Sequence, residues 1–276
     1  MNDNTTKKSS KLNKIIDYKN NNYLIIDCSY MIFYVYYAIV SWFKKAHPEE
    51  NIDNFDDLIN EKFEKRFLER LYDLTKKYSI SIQNIYFCID CPQKNIWRLE
   101  IDSNYKKTRK KDLKVAKAFT YLFKHISTFL ENKGMKFIKE DKAEADDIAS
   151  IIVRKLQEDE KNNIFIITSD HDYLQLINDN TFIYTLNHKS LKEKSLGSPE
   201  LDLHIKIIIG DKSDNIPSIF PKCGIKTALK YINNKSLNII FEKHKGSLER
   251  YEKNKILIDF NNIPINIKKN IINKIK

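Results

Sequence analysis

The sequence predicts an α/β fold, with a mostly parallel central sheet flanked by helices and a smaller helical module behind it. Three observations predict it. Three apolar stretches, "NYLIIDCS", "NIYFCIDCP" and "IFIITSDHD", read as strands, and each stops at an aspartate. Segments with helical spacing lie between them, as the crossovers of a parallel sheet require. Beyond the third strand the chain breaks into short segments opened by Ser-Pro or by glycine, the punctuation of small helices.

In chain order, the lead "MNDNTTKKSSKLNK" is polar and lacks the apolar core of a secretory signal, so residues 1–21 are expected to be a disordered tail. The first strand ends at Asp27. The most apolar stretch, "MIFYVYYAIVSWF", is short of the roughly 20 residues that cross a bilayer. From 51 to 79, Phe63, Phe67, Leu71 and Leu74 recur at helical spacing, and the second strand ends at Asp90. Ile148, Ile151, Ile152 and Leu156 mark another helix, opened by "AEADD", and the third strand leads into Asp170 and Asp172.

"SPELDLHIKIIIG" alternates like a strand, yet Ser198 and Pro199 open it like a helix and Gly210 closes it; helix is the favoured reading. A loop with Asp211 and Asp214 follows, then a second short helix beginning near Gly224, Lys226 and Thr227. The free backbone N–H groups at such a helix start, with Lys222 and Lys226 beside them, form a cradle for phosphate that grips a strand without reading its bases.

Formal charge is +11, from 48 Lys and Arg against 37 Asp and Glu, which suits a polyanionic partner, although a Lys-, Asn- and Ile-rich composition produces the same excess by itself. Cys28, Cys88, Cys91 and Cys223 show no disulfide framework, so a reducing, intracellular and soluble setting is expected. The pair Cys88 and Cys91 lacks a second pair and a nearby His, and reads as buried strand thiol rather than half a zinc site.

An aspartate after a strand is ordinary as a helix cap or turn starter. The set is not, because parallel strands align their carboxyl ends and would gather Asp27, Asp90, Asp170 and Asp172. Crowded carboxylates raise one another's pKa unless a cation sits among them, and a divalent metal is the candidate. Glu144, Asp146 and Asp147 add to this at a helix start, where acids also simply favour the dipole. Glu144 and Asp147, three apart, are expected on one face and Asp146 to the side. The run "NYKKTRKKDLKVAK" is either a solvated face or a grip on nucleic acid, with Tyr105 and Trp97 offering stacking surfaces for bases.

Taken together, "LIIDCS", "YFCID", "WRLEIDSNYKKTR", "AEADDIAS", "ITSDHDYLQLI", "GDKSDNIP" and "PKCGIKTALKYI" resemble, in content and order, the flap endonuclease and 5′ to 3′ exonuclease family, in its bacteriophage and bacterial branch. The resemblance runs from about Tyr23 to Ile265. It implies a PIN-like 5′ nuclease domain over 22–195 with a basic helical arch near 94–125, a helix-hairpin-helix (H3TH) module over 196–265, and a basic tail over 266–276.

It further implies two Mg²⁺ ions, replaceable by Mn²⁺. Asp27, Asp90, Glu144, Asp146 and Asp147 surround one, and Asp170, Asp172, Asp211 and Asp214 serve the other. Lys106 reaches the scissile phosphate and Arg109 clamps it, so Lys106, Arg109, Asp27 and Asp170 are the candidate catalytic residues. Tyr105, Lys107, Lys110, Lys111, Lys222, Gly224, Lys226 and Thr227 are the candidate DNA contacts. The implied partner is branched duplex DNA with a 5′ single-stranded end, bound by a monomer with no membrane attachment. Two ions about 4 Å apart activate a water and neutralise the leaving oxygen.

Some positions depart from the family pattern. Cys28 replaces a small glycine, Tyr34 an arginine and Lys222 a hairpin glycine, and Phe220 is an extra residue; the potassium ion that some relatives bind at this turn thereby loses part of its usual setting. Two other readings fit parts of the pattern: a DNA-junction binding protein without catalysis, and an RNA-directed metal nuclease.

Overall fold

The computed structural model describes residues 18–50, 56–109 and 113–275. In chain order these form β1 (Asn22–Asp27), α1 (Cys28–Ala46), α2 (Asp56–Tyr78), β2 (Ile85–Ile89), α3 (Arg98–Ile101), α4 (Leu113–Asn132), β3 (Lys136–Lys139), α5 (Ala145–Leu156), β4 (Asn163–Ile167) and β5 (Thr181–Tyr184). Then come α6 (Pro199–Ile209), α7 (Ile225–Asn233), α8 (Leu237–Lys243), α9 (Ser247–Ile258) and α10 (Ile265–Lys274).

All five strands run parallel, in the order β3-β2-β1-β4-β5. The three expected strands are the three central ones, apolar enough to be buried on both faces. The edge strands β3 and β5 are only four residues each, too short for a clear trace in the sequence. Alternation splits β1: Leu24 and Ile26 pack with α1, α2 and α4, while Ile25 packs with α5 on the other face. No helix among the described residues is long and apolar enough to cross a membrane. The four cysteines are free thiols, with Cys28, Cys88 and Cys91 buried.

"SPELDLHIKIIIG" is the helix α6. Ser198 accepts from the Leu201 N–H at 3.2 Å, Pro199 opens the first turn, and Gly210 ends it at φ +72°. A side chain at Gly210 would collide with the Ile216 carbonyl, because residues 211 and 216 bridge back on each other there. This glycine therefore sets the loop that carries Asp211 and Asp214.

The basic tail expected over 266–276 is instead the helix α10. Among its lysines and asparagines, Ile267 and Ile271 lie one turn apart and, with Ile263, pack into the α5 face of the sheet. Its Lys274 and Asn270 bond Glu140 at 2.6 and 2.9 Å. Most of the expected N-terminal tail lies outside the described residues; at its end, the Tyr18 N–H is fixed to Ser81 Oγ at 2.8 Å.

Candidate active site

The carboxyl ends of β1, β2 and β4 open into a cavity of about 400 Å³. Asp27, Asp90, Glu144, Asp146 and Asp170 line it, together with Lys106, Arg109, Tyr30, Phe33 and Tyr173. Register explains the convergence: Ile26 of β1 pairs with Ile167 of β4, and Asp27 with Cys88 of β2, so the residues that follow these strands emerge side by side.

Each carboxylate is also held by its own segment. Asp27 caps α1, accepting from the Tyr30 N–H at 3.1 Å, while Thr168 Oγ1 donates to its other oxygen at 3.1 Å. Asp90 accepts from the Ala145 N–H at 2.7 Å and from Ser29 Oγ. Asp170 opens the turn after β4 and accepts from the Asp172 N–H at 2.9 Å. Glu144 stands just before α5, where the sequence-based i, i+3 face does not apply. The Asp147 carboxylate turns back to accept the Glu144 N–H at 3.0 Å, half of a capping box, and Asp146 is the one that lines the cavity.

Asp147 is enclosed completely and spends both oxygens on neighbours. It accepts from Arg98 Nη1 and Nη2 at 3.0 and 2.8 Å and from Trp97 Nε1 at 2.9 Å. Arg98, only 2% exposed, also donates to Glu144 at 2.9 Å and through Nε to the Leu257 carbonyl of α9 at 2.7 Å. One guanidinium thus joins the start of α5 to the C-terminal helices. Sequence reasoning passed over Arg98, since an arginine in a basic segment carries no mark of burial except its apolar neighbours Ile96, Trp97 and Leu99.

Trp97 and Tyr105, expected to stack on bases, are 3% and 4% exposed and cannot do so. Their polar atoms are drawn inward: the Tyr105 hydroxyl lies 3.0 Å from both Glu144 and Asp214. Lys106 adopts a left-handed backbone at φ +56°, held by its N–H donating to the Asp214 carbonyl at 2.8 Å, and its ammonium pairs with Glu144. Arg109 pairs with Asp214 at 2.5 Å. Lys107 is exposed, bonded to Asn104 at 3.3 Å, and Lys110 and Lys111 lie outside the described residues.

Asp172, Asp211 and Asp214 form a second acidic group, with one oxygen of each lying within 4.8 Å of the others; Glu144, Asp146 and Asp147 group in the same way. The second group already contains a cation that the sequence did not reveal. Lys206, from the last turn of α6, pairs with Asp172 and, at 2.9 Å, with Asp211. Lys222, Gly224, Lys226 and Thr227 stand apart at the start of α7. There Lys222 takes the left-handed φ of +59° that favours glycine, no side chain caps the first N–H groups, and a side chain at Gly224 would meet open space. Tyr34, where the resemblance leads one to expect arginine, lies under Arg70 of α2, whose guanidinium donates to its hydroxyl at 3.0 Å.

Burial, then Asp90, push Asp27 up to about 7. Burial raises Asp90 despite the Ser29 and Ala145 bonds, and burial with Asp147 raises Asp146 well above the usual carboxylate range. Asp170 is raised too, burial of its carboxyl outweighing Lys206. Glu144 goes the other way: burial would lift it, but Lys106 and Arg98 hold it low. Four carboxyls of the cavity are therefore short of positive charge. Hard oxygen donors with no His or Cys in the lining fit a hard divalent cation rather than a soft metal.

A family profile described as 5′-3′ exonuclease, N-terminal resolvase-like domain, matches residues 22–200. A 5′-3′ exonuclease of Buchnera aphidicola subsp. Baizongia pistaciae is 33% identical over 250 residues, which are 87% of this chain and 72% of that one. The ribonuclease H of Enterobacteria phage T4 is 29% identical over 222 residues, 73% of this chain and 72% of the relative. In fold, the T5 D15 protein co-crystallised with metal ions superposes with a TM-score of 0.66 at 19% identity, covering 92% of this chain and 98% of that protein.

Proposed function

The chain belongs to the 5′-3′ exonuclease family, and from that membership and the cavity we propose that it is a divalent-metal-dependent, structure-specific 5′ nuclease cutting DNA phosphodiesters near the base of a 5′ single-stranded end. One observation carries this reading: Asp27, Asp90, Glu144, Asp146 and Asp170, from four separate segments, share one cavity whose lining brings only Lys106 and Arg109 as cations. The imbalance calls for dications, and Mg²⁺ is the one proposed. Asp27, Asp90, Glu144 and Asp146 would hold one, and Asp170 with Asp172, Asp211 and Asp214 a second. Bound there, such ions lower the pKa of a water and neutralise charge on the leaving oxygen.

The chain's own residues do the rest. Lys106 and Arg109 stand at the cavity beside Glu144 and Asp214, placed to trade a carboxylate partner for a phosphate oxygen. Arg98 keeps Glu144 and the C-terminal helices in register. The uncapped first turn of α7, with Lys222 and Lys226, supports a duplex-holding role for residues 196–265, working as a module beside a nuclease body of 22–195. Contacts of this kind ignore base identity and weaken with salt. The T4 relative's name, ribonuclease H, favours RNA-primed 5′ ends as a second substrate.

The test is a branched DNA labelled on its 5′ arm, incubated with Mg²⁺ or with chelator. Cleavage near the junction that needs Mg²⁺ is expected, and Asp170→Asn should abolish cutting while keeping DNA binding. A flap left whole across pH and salt would overturn the reading, and an RNA-primed substrate alongside it tests the second one.

A further inference from the structure

Two buried side-chain oxygens among the described residues lack a hydrogen-bond partner: Asp172 Oδ1 and the Tyr173 hydroxyl. The first is paired with the Lys206 ammonium. Tyr173 has no such relief. It is fully buried, yet it lines the acidic cavity. Its ring needs no hydroxyl to pack, since it sits in the α5 face of the core, edge-on to Phe260 at 6.5 Å. A phenylalanine would fill the same space. A buried hydroxyl without a partner weakens a fold, so its persistence at a site calls for a partner that arrives later.

The surroundings say which kind. A phenol keeps its hydrogen at neutral pH, and an ionised carboxylate, which has only acceptors, can bond it only by receiving that hydrogen. The carboxylates of Asp27, Asp146 and Asp170 line the same cavity, and none of them bonds it. We propose that Tyr173 is a positioning residue of the metal centre, its hydroxyl donating to a carboxylate oxygen of Asp27, Asp146 or Asp170 when a dication draws that cluster together. This rests on the metal-dependent reading given above. A hydrogen bond absent in the free protein and present in the loaded one adds to ion affinity and nothing to the stability of the free protein.

Tyr173→Phe in the full chain separates these effects. Mn²⁺ titrated calorimetrically should bind about tenfold more weakly than to the unaltered protein, the effect of one net hydrogen bond. The ion-free variant should melt no lower than the unaltered protein. On a 5′ flap the variant should cut slowly at low Mn²⁺ and recover as Mn²⁺ is raised. Equal Mn²⁺ affinity in the two proteins overturns the proposal whatever the rates. A lower melting point for the ion-free variant overturns it as well, because the hydroxyl would then already have a partner. Since Mn²⁺ binding needs no substrate, a protein that binds the ion but leaves the flap whole counts against the nuclease reading alone.

Discussion

The two acidic regions of this protein are built from the same residue types and behave in opposite ways. Around the strand ends, burial raises Asp27, Asp90 and Asp146, helped by Asp90 at Asp27, by Glu144 at Asp90 and by Asp147 at Asp146. In the loop after α6, Asp211 is lowered to about 2, burial being overcome by Lys206 and the Ser213 donors. The difference is where the cation comes from. The loop group brings its own, on a helix turn five residues upstream; at the strand ends Lys106 and the neighbouring buried Arg98 are committed to Glu144 and Asp147, and among the described residues Asp27, Asp90 and Asp146 have no ion-pair partner. A cluster of acids thus becomes a strong candidate metal site through what its neighbours fail to neutralise.

The comparison breaks first at Arg98. Removing one member of a buried ion-pair network that also ties α9 should cost about 3–5 kcal/mol. Urea unfolding of Arg98→Met is the measurement, and a loss below about 1 kcal/mol, the range of a surface pair, would mean that the clasp contributes little.

Next in size is the pH response. Asp27 is raised from 3.8 to about 7, so the stability it contributes to the ion-free fold is present below 3.8 and lost as pH climbs through about 7. Asp211 is lowered to about 2, so its contribution is present above 3.8 and lost as pH falls toward 2. Melting points in EDTA between pH 2 and 8 should therefore fall at both ends, and Asp27→Asn should reduce the upper fall, to which the raised Asp90, Asp146 and Asp170 also contribute, while Mg²⁺ should reduce it further. An upper fall of unchanged size in Asp27→Asn assigns it to other groups.

The smallest effect sharpens the contrast. Lys206→Met strips Asp172 and Asp211 of their shared cation, leaving Arg109 on Asp214, and brings the loop group closer to the strand-end cavity. Mn²⁺ should then bind there several-fold more tightly, an effect of the size expected for losing one partly exposed positive neighbour. If calorimetry shows no gain, Lys206 does not compete for those carboxylates.

Much of this was legible in one dimension, for reasons that can be traced residue by residue. The central strands are buried on both sides and so are written as unbroken apolar runs, and their terminal aspartates could be aligned by topology alone. Helix α6 announced itself through Ser198, Pro199 and Gly210. What stayed hidden was written in ordinary letters. The edge strands are four residues long, too short for their alternation to stand out. The isoleucines of α10 sit among lysines that disguise their spacing. Tyr105 and Trp97 look like any aromatics in a basic stretch until their polar atoms are found turned inward to carboxylates.

By itself, then, the sequence determined the parallel sheet, the acids at its strand ends and the membership of a nuclease family, because hydrophobic period and short-range punctuation act between near neighbours. Only the tertiary structure decided which acids keep a cation and which lack one, since charge pairs such as Arg98 with Asp147, or Lys206 with Asp172, join segments far apart along the chain. Electrostatic energy depends on distance and burial in space, and neither can be read from the order of residues.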